Sequence, residues 1–286
     1  MLTLGTLRLE PGEFAVMAIV NRTPDSFYDG GRNVSLAAAL DAVARAVDEG
    51  AHIVDIGGVR AGYGPSVDVA EEIERVLPVV SAVRERHPEL VISVDTWRAA
   101  VAEQVVAAGA DLINDTWAGA DPDLVPLAAA TGAGLVCSHT GGLAPRTDPH
   151  RVSYDDVVSE VVAALRSSAE AAVAAGVRPD GILVDPTHDF GKNTRHSLLL
   201  TRRLDELVAT SWPVLVALSR KDFVGETLDL PADERLAGTL AATAISAWHG
   251  ARVFRTHDVR ETRQVLDMVA SIQGTRPPAV ARRGLA

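Results

Sequence analysis

The chain has 286 residues, of which 47% are hydrophobic, and it carries a formal net charge of −11. That length and apolar content suit one large α/β barrel with a sizeable core, and no segment before the C-terminal tail has a disordered composition. The acidic balance excludes a general basic field for nucleic acid or an anionic membrane, while leaving room for a local cationic pocket.

Cys137 is the one cysteine, so no internal disulfide is expected, which suits the cytoplasm. The opening MLTLGTLRLEPGEF has no basic stretch followed by an apolar run, and no run of about 18 uninterrupted apolar residues occurs anywhere. Neither a signal peptide nor a membrane span is expected.

Residues 1–14 read as a short capping hairpin. Runs rich in Val, Ile and Leu then recur at 15–20, 52–56, 90–94, 111–113, 134–137, 181–184, 214–218 and 252–254. Their apolar residues are nearly continuous, as in strands buried on both faces. Segments with helical spacing lie between them, among them 36–49, 69–86, 99–108, 154–175, 235–249 and 259–270. Gly50, Gly109, Gly132, Gly176 and Gly250 each end a helix just before the next strand, since glycine accepts the left-handed conformation without a Cβ clash. Strand then helix, eight times, gives a single-domain (β/α)8 TIM barrel over 1–274, with 275–286 as a flexible tail. An open doubly wound sheet is the alternative, but no GxGxxG loop follows the first strand.

Asn21, Asp55, Asp95, Asn114, His139, Asp185, Lys221 and His257 fall at or just past strand carboxyl ends, the face where barrels place active sites. Any one of them could be a turn or N-cap residue; eight at one rim are harder to explain that way. Asp55 reads as structural, because it lies inside its strand. Two carboxylates, an amide and an ammonium (Asp95, Asp185, Asn114, Lys221) suit a flat heterocycle whose donors and acceptors alternate. Arg255, His257 and the Ser219-Arg220-Lys221 run suit a phosphate or pyrophosphate. The repeated Thr187-His188-Asp189 and Thr256-His257-Asp258, with His139, leave zinc hydrolysis open, although strand one lacks the paired histidines of metal-dependent amidohydrolases.

These motifs resemble the dihydropteroate synthases of folate biosynthesis. MAIVNRTPDSFYDGG at 17–31 is similar to the family's (I/L)NVTPDSFSDGG. SVDT at 93–96, IND at 113–115, DP…FGK across 185–192, SRK at 219–221 and FRTHDV at 254–259 follow in the family's order. The resemblance covers most of the chain. It implies joining of 6-hydroxymethyl-dihydropterin pyrophosphate to p-aminobenzoate. Asp95, Asn114, Asp185, Phe190 and Lys221 would then hold the pterin, and Arg255 and His257 the pyrophosphate. Phe27 and Ser219 would take the aminobenzoate side, and Asn21 a magnesium ion. A homodimer through outer-ring helices such as 236–247 is also implied.

Departures from the family cluster at that rim. Loop two, GGESTRPG in the family, reads Gly57-Gly58-Val59-Arg60-Ala61-Gly62-Tyr63-Gly64 here, so a flexible run replaces a stiff proline and ordering it should cost more entropy. Arg22 stands where the family has a small apolar residue. Facing a divalent ion at about 6 Å, it would repel it by ~5 kcal/mol at an effective dielectric near 20; otherwise it faces solvent or takes the pyrophosphate itself. The family's HMQG is His139-Thr140-Gly141-Gly142, its GFGFGK is Thr187-His188-Asp189-Phe190-Gly191-Lys192, and Trp117 adds bulk after Asp115. The expectation is a family paralogue with a retained pterin pocket and weak or absent synthase activity. The alternatives are a working synthase and a non-catalytic pterin- or arylamine-binding protein.

Overall fold

A computed structural model describes residues 1–22, 35–62, 64–147 and 152–284. The chain opens with β1 (Leu2–Leu4) and β2 (Leu7–Leu9), an antiparallel hairpin that pairs Leu2 with Leu9 and Leu4 with Leu7. Gly5 makes its turn at φ +51°; a Cβ there would fall 2.6 Å from an Asp111 carboxylate oxygen.

Eight parallel strands follow: β3 (Ala15–Asn21), β4 (Ile53–Gly57), β5 (Val91–Asp95), β6 (Leu112–Asp115), β7 (Gly134–Ser138), β8 (Ile182–Asp185), β9 (Leu215–Ala217) and β10 (Val253–Thr256). Hydrogen bonds join them in the order β8-β7-β6-β5-β4-β3-β10-β9. A single parallel bridge between Val184 and Val214 brings the two ends together. The helices are α1 (Leu36–Asp48), α2 (Val69–Arg86), α3 (Ala99–Ala107), α4 (Leu124–Thr131), α5 (Val157–Ala174), α6 (Thr194–Arg202), α7 (Leu204–Val208), α8 (Asp222–Leu228), α9 (Leu236–Trp248) and α10 (Val259–Gln273). The architecture is the expected (β/α)8 barrel with an N-terminal hairpin.

Side chains cap the N-termini of four helices, and glycines end several others. Ser35 and Asp68 accept the third amide of α1 and α2, Asp156 caps α5, and Asn193 and His196 bond each other's backbone in a capping box at α6. All five expected glycine stops have positive φ, from +74° at Gly132 to +107° at Gly109.

Two apolar layers result. Outward strand residues such as Val16, Val54, Ile92 and Ile113 pack on helix residues such as Val43, Val80, Val105 and Leu266. Inward residues Met17, Ile53, Val91, Leu112, Val136, Leu183, Leu215 and Val253 fill the barrel, and Leu2, Leu4 and Leu9 of the hairpin plug its bottom. Among the described residues no helix is long and apolar enough to cross a membrane.

Candidate functional site at the carboxyl end of the barrel

Strand alternation lifts the polar groups off the apolar floor. Two residues above each inward hydrophobe, the same face carries Asp55 over Ile53, Ser93 over Val91, Asn114 over Leu112, Asp185 over Leu183 and Arg255 over Val253. The register then sets Asn21, Gly57, Asp95 and Asn114 in one row around four strands. The ladder runs one or two residues past the apolar runs on β5, β6 and β10. Hydrophobicity undercounts those strands because their last residues are the site.

Asp55 is fully buried and lies one layer below this row, in register with Ile19 and Ser93. One oxygen accepts the Ser93 hydroxyl at 2.6 Å; the other accepts Asn114 Nδ2 at 3.1 Å and Arg255 Nε at 2.6 Å. It does not line the cavity above, and its expected structural character holds. An inward position at mid-barrel makes Asp55 the group that orients two of the expected binding residues. Arg255 also donates Nη2 to Asp95 at 3.0 Å, and Thr116 donates to the other Asp95 oxygen at 2.9 Å. Burial lifts the Asp95 carboxyl to about 7, against the pull of Arg255 and with a push from Asp55. Burial works against the Arg255 charge too, but Asp55 and Asp95 outweigh it and hold the guanidinium above its ordinary value.

Above the row opens a cavity of about 270 Å³. Of the expected residues, Asn21, Asp95, Phe190, Ser219, Lys221, Arg255 and His257 line it. Asn114 and Asp185 are buried behind its wall. Asn114 reaches the site through Asp55, and Asp185 through its charge on Lys221. The Ser219 hydroxyl accepts the His257 amide at 3.2 Å, tying the ends of β9 and β10 together. Phe27 lies outside the described residues.

Lys221 donates to the His188 carbonyl at 2.6 Å, and its ammonium sits 5.0 Å from the Phe190 ring centre. Burial lowers its pKa, opposed first by Asp189 and then by Asp185. Phe190 meets Trp117 edge-on at 5.4 Å, and Trp117 is buried against Trp97.

Residues 17–257 match the model of the family described as pterin binding enzyme. The chain belongs to that family. It is 61% identical over 275 residues to the inactive dihydropteroate synthase 2 of Mycobacterium leprae, covering 95% of this chain and 94% of that protein. It is 39% identical over 255 residues to the dihydropteroate synthase of Escherichia coli, covering 89% and 90%. The Yersinia pestis dihydropteroate synthase, solved with a sulfonamide drug complex, superposes with a TM-score of 0.90 at 37% identity over 96% of this chain and 99% of that one.

Within this pterin-binding framework the Arg22 question has a direct answer. Arg22 Nη1 donates to the Arg75 carbonyl on α2 at 2.7 Å, so the guanidinium is turned toward α2. Loop two is tied down from outside. Arg75 donates to the Gly58 carbonyl at 2.8 Å, Arg98 to Val67 at 2.7 Å, and Arg146, from the loop after β7, to Pro65 at 2.6 Å and Gly62 at 3.3 Å. External clamps thus supply part of the stiffness that a proline would have given.

The described histidines are held apart by separate roles. Among the described residues no three His, Cys, Asp or Glu side chains are grouped to hold a metal. His188 is fully buried against Phe223, with Nε2 on the Thr201 hydroxyl at 3.1 Å and burial driving its pKa far down. His139 is pushed down to about 4 by burial and by the neighbouring Lys192. Residue chemistry alone passed over Lys192. Its ammonium is caged by the carbonyls of His139 (2.7 Å), Phe190 (2.9 Å) and Thr187 (3.3 Å), and burial pushes it down to about 7. The FGK motif was its only signal.

Proposed function

We propose that this chain is a dihydropteroate synthase homologue that keeps a pterin-type pocket and has little or no synthase activity. The observation that carries the reading is the wall built by loop two. Val59, Arg60, Ala61 and Gly62 line the cavity where the family sequence supplies Glu, Ser, Thr and Arg. One guanidinium, that of Arg60, replaces two hydroxyls, a carboxylate and a differently placed guanidinium at the arylamine side. The chemistry needs an arylamine and a ring carbon held at attack distance, which depends on such positioning. The name of the Mycobacterium leprae relative accords with this loss.

The pocket residues still suit a pterin ring. The Asp95 carboxyl and the Lys221 ammonium line the cavity beside the Phe190 ring, with Asn114 and Asp185 supporting them from behind its wall. Arg255 keeps Nη1 after binding Asp55 and Asp95, and His257 lies beside it for an anion. The Asn21 amide fits magnesium only as one ligand among several, because magnesium keeps waters and uses few protein ligands beside substrate phosphates. Asn21 would hold such an ion together with the pyrophosphate, where it would screen the leaving group's charge.

Purified protein given the pterin pyrophosphate, magnesium and p-aminobenzoate should release pyrophosphate at under about 1% of the rate of an ordinary enzyme, for which kcat is typically of order 1–10³ s⁻¹. Ordinary turnover would overturn the reading, and calorimetry showing no pterin binding would remove the pocket.

The homodimer belongs to the same proposal. Leu198, Leu228 and Ile245 are 38%, 46% and 49% exposed and line one groove on α6, α8 and α9; a contiguous apolar patch of this kind suits a second copy. Light scattering of the eluting protein should give twice the chain mass of 30.1 kDa.

A further inference from the structure

Asp189, in the loop after β8, combines three features that the expected site does not use. Its backbone lies at φ +72°, and Thr187 two residues earlier lies at φ +50°. Both are left-handed positions where an L side chain is strained and glycine is at ease. The family motif GFGFGK has glycine at both. Asp189 is nonetheless firmly held, with Oδ1 accepting the Ser197 hydroxyl at 3.0 Å and Oδ2 accepting the Phe223 amide at 3.1 Å. Its own amide donates to Ser197 Oγ at 3.1 Å.

The second feature is position. Asp189 lines the cavity beside Phe190 and Lys221. The third is what has become of Lys221. Its hydrogen bond goes to the carbonyl of His188, the peptide unit leading into Asp189. Among the opposite charges acting on it Asp189 ranks ahead of Asp185. A lysine ammonium has donors only, so in a pocket it matches a ring carbonyl. A carboxylate oxygen that has accepted one bond can still accept another, so Asp189 matches a ring amino group.

We propose that Asp189 is a specificity-determining residue, which occupies the lysine end of the heterocycle pocket and shifts its preference from a ring carbonyl to a ring amino group. The ligand class is then a 2,4-diaminopteridine-type ring, whose donor-rich and more basic edge suits two carboxylates around one lysine. A 2-amino-4-oxo ring fits less well. This inference rests on the reading of the cavity as a pterin-type pocket.

The test is calorimetry on the full chain with 6-hydroxymethylpterin and its 2,4-diamino analogue, for the wild type, D189N and D189G. Asparagine keeps the shape and tolerates the left-handed backbone, so D189N removes the charge and exchanges one acceptor oxygen for an amide donor. D189G removes the strain as well, and circular dichroism checks that both variants are folded. The wild type should prefer the diamino ring by about tenfold, a ratio equal to 1.4 kcal/mol, and both variants should lose that preference. Preference for the amino-oxo ring in the wild type, equal binding of the two rings, or a preference that survives in either variant overturns the role of Asp189 and leaves the pocket standing. If neither ring binds wild type or variants, the pocket reading fails and takes this inference with it.

Discussion

Arg255 Nε at the end of β10 donates at 2.6 Å to Asp55 Oδ2 in the middle of β4, a contact across 200 positions of chain. It is the main charge compensation for a carboxylate with no solvent exposure. Truncating one partner of such a pair leaves the other buried and unpaired. R255M should therefore destabilise the fold by about 3–5 kcal/mol, lowering Tm by roughly 6–20 °C for a chain of this size. D55N combined with R255M should recover part of that loss. Thermal unfolding followed by circular dichroism measures both; a drop of under about 2 °C for R255M would mean that the pair contributes little to stability.

Loop two depends on Arg146, whose guanidinium reaches the Pro65 and Gly62 carbonyls from another loop. R146A should speed hydrogen exchange of amides in 58–67 by about tenfold or more, since local opening then loses its clamp. Global stability should move by no more than about 0.5 kcal/mol, as for most exposed side chains. Unchanged exchange would assign the order of the loop to Arg75 and Arg98 alone.

Replacing loop two by the family's ESTRPG, together with R22V, tests which departures remove the activity. Pyrophosphate release should rise by about tenfold or more, since positioning alone supplies several kcal/mol of catalysis in such reactions. An unchanged rate would move the cause to the loop after β8, where Thr187, His188 and Asp189 replace the family's residues.

His139 is a base whose folded pKa, about 4, lies below its ordinary value of 6.5, with burial and Lys192 as causes. In that case the unfolded chain binds the proton first. The stability from neutral His139 is complete above about pH 6.5 and is lost as pH falls toward 4. Histidine NMR titration should find this ring neutral at pH 5, and H139Q should flatten the fall of Tm between pH 6.5 and 4. A ring that titrates near 6.5 would place His139 in solvent.

Much of the barrel was legible because its signals are local. Apolar runs marked all eight strands, and Gly50, Gly109, Gly132, Gly176 and Gly250 marked helix ends through a backbone conformation that only glycine adopts cheaply. The short helices α6, α7 and α8 were less visible, since their few turns mix charge with leucine and carry little periodic signal. Asp55 was rightly read as structural, but its partners were not legible. Its neighbours in sequence are strand residues, while the partners that give it a role come from three other strands.

By itself the sequence determined the alternation of strand and helix, the polar residue at each strand end and the departures in loop two and in 187–189. Each is a property of neighbouring residues or of a motif read in order. Only the tertiary structure decided that Arg255 joins Asp55 to Asp95, that Arg22 turns to α2, and that Lys221 is bonded beside Asp189. Those outcomes depend on barrel register and on burial, which bring together residues tens to hundreds of positions apart and set which charge each one faces.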